Sequence, residues 1–313
     1  MDYSLLLSAI IYANFLTLLS IGFTLVYLTA KIPNFAHGSF ATVGVYVCFT
    51  VAYILNTNPY FSIPLAFIVT GGLALLIYKI VLGSLRRHGA SILSQMIAII
   101  AVELIISAFI NIYADYIQFV KHVYSRTVLL RYLDFRYAGL PGVFIISTIT
   151  VITLITCLHL ILTKTKFGIS MRATVEDSSL ASILGVNVEL VTSVSWFLTG
   201  GLAGIAGSFM PLWFQSDTKS GYRILTSIFA SSILGGLSSI YGAIIGGYII
   251  GLTEILVTNS LAQVFGPSVI PFRMMVPLSI MSIILLVFPR GITGVIESLR
   301  TYGLKSITKR WRR

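Results

Sequence analysis

A succession of apolar runs, each close to the length a helix needs to cross a bilayer, constrains this chain more than any other feature. A helix covers the hydrocarbon core with about 20 residues. Backbone inside lipid must satisfy its own hydrogen bonds, so such runs fold as helices. They occupy residues 5–29, 35–55, 61–82, 92–113, 143–162, 190–214 and 272–288. Residues 223–257 form one apolar stretch too long for a single span, interrupted by Gly235, Gly236, Leu237, Ser238 and Ser239. Gly and Ser there favour a break, which predicts two segments folded back on each other. The expected fold is all-α: a polytopic transmembrane helix bundle of eight to nine spans, with broken or re-entrant helices, in one domain over residues 1–313.

Composition excludes a soluble enzyme or a nucleic-acid binder. Of the 313 residues, 57% are hydrophobic and 10% charged, against about 25% charged in a soluble domain. The net charge of +11 does not form a basic face, because Lys and Arg cluster in short stretches between apolar runs. That layout is topological: such residues stay on the cytoplasmic side during insertion. Arg86, Arg87 and His88 mark one connection, and Lys164, Lys166 and Arg172 a second. Arg290, Arg300, Lys305, Lys309, Arg310, Arg312 and Arg313 mark the carboxy-terminal tail, about 290–313. The three fall on one side only if residues 223–257 enter the bilayer and return. The amino terminus is then outside, with the carboxyl terminus and Lys31 cytoplasmic, in the cell membrane. The first run is too long for a signal-peptide core and is expected to stay as a span.

Residues 114–141 resist this assignment. They would lie outside, yet carry Lys121, Arg126, Arg131 and Arg136, partly balanced by Asp115 and Asp134. Loose alternation of apolar and basic residues suits a short surface-lying helix, and a docking surface for a partner is the alternative.

No G-x-x-x-x-G-K-[ST], H-E-x-x-H or G-x-S-x-G is present, and no two histidines are spaced as a metal pair. Cys48 and Cys157 lie inside apolar runs and are expected to act as small core hydrophobes. The expectation is a chain without catalytic residues, metal or cofactor of its own. At the start of the second run, Pro33 and Gly38 bracket Asn34 and His37. This is either a broken helix entry lining a cavity or a plain turn with a satisfied histidine. In the fourth run Ser91, Gln95, Glu103, Ser107 and Asn111 share an i, i+4 stripe. A carboxylate in lipid is costly, so the stripe either faces a wet pathway or glues packed helices. Glu254, nearer a span end, reads as an interfacial or packing residue. Small residues four apart (Gly200, Gly204 and Ser208; Ala203 and Gly207; Gly242 and Gly246; Gly247 and Gly251) indicate close helix packing.

Residues 163–189 are the most informative connection. Helix propensity runs from about 169 to 184, with Gly185 as the stop. Ala173, Leu180, Ala181 and Leu184 would make a small apolar face, beside the charges of Arg172, Glu176 and Asp177. Such a helix is either an ordinary connector or one that lies in a partner's groove.

These residues resemble the LivH-type permease subunit of ABC importers for branched-chain amino acids, over nearly the whole chain. The resemblance rests on Asn-Phe-Ala-His-Gly at 34–38, then Gly44 and Tyr46. It continues through Phe167, Gly168, Arg172, Ala173, Asp177, Ala181, Gly185 and Asn187, and through Ala203, Gly204, Ala206 and Gly207. Gly235, Gly236, Gly242, Gly246 and Gly247, and Pro289, Arg290 and Gly291, complete it. The family implies a coupling helix within 172–185 seated on an ATPase, with Phe167, Gly168, Arg172, Ala173, Asp177, Ala181, Gly185 and Asn187 in the coupling region. The pathway residues expected are Asn34, His37, Gly38, Gln95, Glu103, Ser107, Gly235 and Gly236. The partners implied are two ATP-binding subunits holding ATP and Mg, a second homologous permease, an extracellular solute-binding protein and the lipid bilayer. Relatives carry small or apolar residues near Glu103, which leaves an unusual substrate open; urea or short amides, which close relatives carry, are one alternative, and proton-coupled transport through Glu103 without ATP is another. Leu28 and Thr29 replace the family's Tyr-Gly, so packing there is expected to differ.

Overall fold

The computed structural model describes residues 3–288 and 291–294. The tail cations, with Pro289 and Arg290, lie outside the described residues. The helices alternate in direction, so the bundle has a proximal end, where the first helix begins, and a distal end.

Helix α1 (Tyr3–Ala30) is the axis of the molecule, buried on nearly every side. It can be so because its neighbours offer glycine. A Cβ on Gly251 would lie 2.5 Å from the Ala13 Cα, and one on Gly247 2.6 Å from the Thr17 Cα. The small-residue spacing read from sequence is thus the seam on which two backbones meet. Polar side chains add fixed points: Asn14 donates to Ser147 Oγ at 3.1 Å and Thr148 Oγ1 at 3.0 Å, and accepts from the Tyr248 hydroxyl at 2.9 Å.

Helix α2 (His37–Phe49) returns proximally and finishes in a π-helical turn, Thr50–Ile54. Thr50 Oγ1 bonds back to the Tyr46 carbonyl and meets the Tyr113 hydroxyl, both at 2.7 Å, which suits a widened turn. Helix α3 (Ser62–Ile77), a second π-helical turn (Tyr78–Leu82) and α4 (Gly83–Arg87) run on as one span. At its distal end Arg86 donates to the Ala30 carbonyl at 2.6 Å, satisfying an orphan acceptor of α1.

Helix α5 (Ile92–Lys121) overruns its expected end by two turns. Ala114 and Ile117 are buried and keep its inner face apolar to the end. This shortens the following connection, which forms no surface-lying helix. It holds strands β1 (Thr127–Val128), β2 (Arg136–Tyr137) and β3 (Leu140–Pro141) with a single 3-10 turn. Its stability is long-range. Strand β1 pairs antiparallel with a segment far along the chain, β4 (Ser216–Asp217). Tyr46 donates to the Ser125 carbonyl at 2.9 Å, and the Arg131 guanidinium lies 3.9 Å from the Trp213 ring centre. A helix would have left those groups without partners.

Helix α6 (Gly142–Lys164) descends to the distal end, where α7 (Lys166–Glu176) and α8 (Ser178–Ile183) follow. Helix α9 (Val188–Phe209) rises again and ends in a 3-10 turn, Met210–Leu212. Residues 223–257 do break where expected: α10 (Ser220–Gly235) and α11 (Ile240–Phe265) form a hairpin, with Gly236 at φ +95°. A 3-10 segment, Pro267–Met274, leads into α12 (Met275–Val287). Among the described residues eight helices are long and apolar enough to cross a membrane. The 16-residue α10 is the short ninth element. Cys48 is buried as expected, but Cys157 is exposed, because α6 turns much of its apolar surface outward, as a lipid-facing helix does.

Candidate functional site

Three regions carry the chemistry, one inside the bundle and one at each end.

Inside, the second-run motif is sealed rather than wet. Asn34 and His37 are fully buried. Asn34 Oδ1 accepts from the Ala36 backbone N–H at 3.1 Å, and His37 Nε2 donates to the Leu19 carbonyl at 2.9 Å. The glycine at 38 lets α2 touch α10: a side chain there would strike the Gly221 carbonyl. His37 Nδ1 and Asn34 Nδ2 are left without partners. These residues fix how α1, α2 and α10 pack.

The α5 stripe divides. Ser91 caps the helix by accepting from the Ser94 N–H at 3.2 Å. Gln95 is buried at the distal end, accepting from Arg86 Nε at 3.1 Å. Glu103 and Ser107 are half-buried at the edge of the α2–α5 contact, where Ser39 Oγ donates to Glu103 at 3.3 Å. Asn111 turns back on the Ser107 carbonyl at 2.8 Å. Leu104, Ile105 and Phe109, beside Glu103, are exposed, so this face of α5 has no covering helix in the single subunit.

At the distal end the expected continuous helix is two helices. Asp177 interrupts it at φ −149°, ψ 107°, and its side chain accepts from the Ser179 and Leu180 N–H groups at 2.8 and 3.0 Å. Asp177 is therefore an N-cap, a role that the run Asp-Ser-Ser signals. Arg172 Nη1 donates to the Leu162 carbonyl at 2.5 Å, pinning α7 to the end of α6. A side chain at Gly168 would meet the Leu162 carbonyl, with the Ile161 carbonyl 2.6 Å away. Gly185 ends α8 at φ +85°, and Asn187 caps α9 by accepting from the Leu190 N–H at 2.9 Å.

The family-motif residues thus shape this element from within. The expected apolar face is also redistributed, since Ala181 is buried whereas Leu180 and Leu184 are exposed. Sequence reasoning missed Ile169 and Ile183, exposed with them, Ile183 at 81% and Leu184 at 73%. Large apolar side chains on a short capped helix outside the spans were the available signal.

Two cavities flank α7. One of about 300 Å³ lies between Arg172, Val175 and the Ser238–Ile240 side of the hairpin. The other, of about 600 Å³, reaches Lys31, Val175, Gly236 and Ser238. Val175 and the α10–α11 turn border both, so the two cavities lie between α7 and that turn, while α7 itself packs on α6, α9 and α1. Gly236 lines the larger cavity, whereas Gly235 is packed against Gly242.

At the proximal end Glu254, 97% buried, accepts from Arg273 Nε at 2.6 Å and from the Tyr12 hydroxyl at 3.0 Å. The Arg273 guanidinium lies 4.2 Å from the Tyr12 ring centre. Of the two readings, interfacial or packing, Glu254 fits the second, as a buried member of an ion-paired cluster. Arg223 pairs with Asp217 at 2.5 Å on the rim of the same cavity.

The chain is 43% identical to a probable branched-chain amino acid transport permease protein LivH of Methanocaldococcus jannaschii, covering 92% of this chain and 91% of that protein. It is 26% identical to the high-affinity branched-chain amino acid transport system permease protein BraD of Pseudomonas aeruginosa, covering 88% and 91%. It is 24% identical to the corresponding LivH protein of Escherichia coli, covering 88% and 90%. Among solved structures, PsaBC from Streptococcus pneumoniae in complex with Fab matches with a TM-score of 0.54 at 15% identity, over 92% of this chain and 94% of that one, and shares the fold. The family model described as branched-chain amino acid transport system, permease component, matches residues 5–285, and the chain belongs to that family.

Proposed function

We propose that this permease component moves branched-chain amino acids across the cytoplasmic membrane as part of an ABC importer, using ATP hydrolysed by partner subunits and performing no catalysis itself. The proximal end faces outward and receives solute from an extracellular binding protein. The distal end is cytoplasmic. The observation that carries the reading is the α7–α8 element, internally capped and presenting Ile169, Leu180, Ile183 and Leu184 outward, outside the spans. Exposed apolar side chains on a rigid helix suit a groove on a cytoplasmic ATPase. Since α7 packs on α6, α9 and α1, a rigid-body push on it passes to those helices. Phe167, Gly168, Arg172, Ala173, Asp177, Ala181, Gly185 and Asn187 hold the handle in shape. The uncovered face of α5, with Glu103 and Ser107 at its edge, is the side on which a second permease would complete the pathway with Gln95, Gly235 and Gly236. Asn34, His37 and Gly38 act by packing the helices that move. The relatives favour this over urea uptake or proton coupling through Glu103.

Solubilised gently, the chain should copurify with an ATPase and a second permease. A cysteine placed at Ser179 should react with an impermeant maleimide only after cells are permeabilised. Labelling on intact cells would overturn the orientation and the coupling assignment together.

A further inference from the structure

The proximal cavity, about 270 Å³, has a lining both apolar and charged. Met210, Phe214, Ile224 and Ile270 supply apolar wall, while Arg223, Arg273 and Glu254 turn charge toward it. Glu254 sits on a membrane-spanning helix with its side chain 4% exposed, and Arg273 is 30% exposed. A desolvated ion pair of this kind adds little stability over well-packed apolar residues. Ionisable groups at such positions mark solute pathways.

The cavity brings together two guanidiniums, one carboxylate, a tyrosine hydroxyl and an apolar wall. We infer that it is a recognition site for a zwitterionic α-amino acid with an aliphatic side chain, the permease's own first contact with its solute. The solute carboxylate sits between Arg223 and Arg273, the ammonium turns to Glu254 and the Tyr12 hydroxyl, and the side chain lies on the Ile224–Ile270 wall. Both arginines already have carboxylate partners, Asp217 and Glu254. An entering zwitterion therefore exchanges the Arg273–Glu254 pair for its own two ion pairs, while Asp217, released by Arg223, keeps the Lys219 N–H and the Ser220 hydroxyl. This inference rests on the function proposed above and names the site within it.

Saturation-transfer NMR on the assembled complex in nanodiscs, without binding protein, tests it. L-Leucine should be saturated, and 4-methylpentanoate and 3-methylbutylamine, lacking ammonium and carboxylate respectively, should bind roughly tenfold or more weakly. Arg223→Gln removes a half-exposed side chain and should reduce the preference for leucine over 3-methylbutylamine, with Arg273 keeping part of it. The double variant Glu254→Gln/Arg273→Gln leaves no orphan charge and should erase the preference over 4-methylpentanoate. Equal saturation of all three probes by the wild-type complex would overturn the site, as would unchanged selectivity in both variants. ATP-driven leucine uptake by the same complex with its binding protein is scored separately. Uptake without probe selectivity refutes the site alone, and failure of uptake refutes the function.

Discussion

Gly185 allows backbone conformation to be separated from packing. Its φ is +85°, and a Cβ built there would meet nothing within 4 Å. It closes α8 through its own N–H to the Ser182 carbonyl and the Val186 N–H to the Ala181 carbonyl, both at 3.0 Å. An L-residue in the left-handed region costs about 1–2 kcal/mol, asparagine less, and a β-branched residue most. Gly185→Ala should therefore weaken the closed turn by about 1 kcal/mol and Gly185→Val by about 2 kcal/mol, which is roughly 5- and 30-fold in the ratio of closed to open turn. The helix seams lie elsewhere, so insertion and membrane abundance should not change. In proteoliposomes holding the whole importer, amino acid transported per ATP should fall in the order Gly, Asn, Ala, Val, while ATP hydrolysis persists. If Gly185→Val transports with wild-type stoichiometry, the handle does not transmit force. If Asn is as harmful as Val, backbone conformation is not the cause.

Gly251→Leu would drive a side chain into the Ala13 backbone, and the chain should fail to accumulate in membranes, as a protease-resistance assay would show, whereas Gly72→Leu, with open space around it, should accumulate normally. The pair Ile183→Ser/Leu184→Ser removes two exposed side chains, so the permease should keep its thermal stability yet lose the copurifying ATPase; each buried side chain is worth about 1.5–3 kcal/mol at an interface. Burial alone would raise the Asp217 carboxyl, but the Arg223 hydrogen bond and charge, with the Lys219 N–H and Ser220 hydroxyl, hold it below its usual range. A depressed carboxyl contributes stability above its unfolded value of about 3.9 and loses it as pH falls through the folded value. Asp217→Asn should therefore melt below wild type from pH 7 to 5, and the two curves should converge in more acid solution.

What the sequence disclosed follows the range of each interaction. Apolar run length, the Gly-Gly-Leu-Ser-Ser break and the four-residue spacing of small residues are local patterns, and they correspond to the spans, the α10–α11 turn and the α1–α11 seam. The break at Asp177 was also local, since an aspartate followed by two serines is a cap signal that helix propensity across 169–184 concealed. The proximal connection was not legible in the same way. Strand β1 finds its partner far downstream, Val128 opposite Ser216 and Thr127 opposite Asp217, so nothing within 114–141 could have disclosed a strand there.

The charged residues teach a related point about the site. Glu103 drew attention because it interrupts an apolar helix, and the structure leaves it half-buried with a 3.3 Å serine donor. Glu254 drew less, yet it is the carboxylate buried to 97% and held by a cation from another span. The difference lies in the partner. A lone carboxylate in lipid must find water or a proton, whereas one paired with an arginine from another span can be retained dry. Arg273 was present in the last run, and matching charges between spans, rather than along one helix, would have joined the two. The same reasoning accounts for Asn34 and His37. Both are buried, and each makes one bond to backbone while keeping one ring or amide nitrogen without a partner. Among the described residues, cavities with charged lining lie at the proximal end and on both sides of α7, and of these only the proximal one joins a buried carboxylate to two arginines.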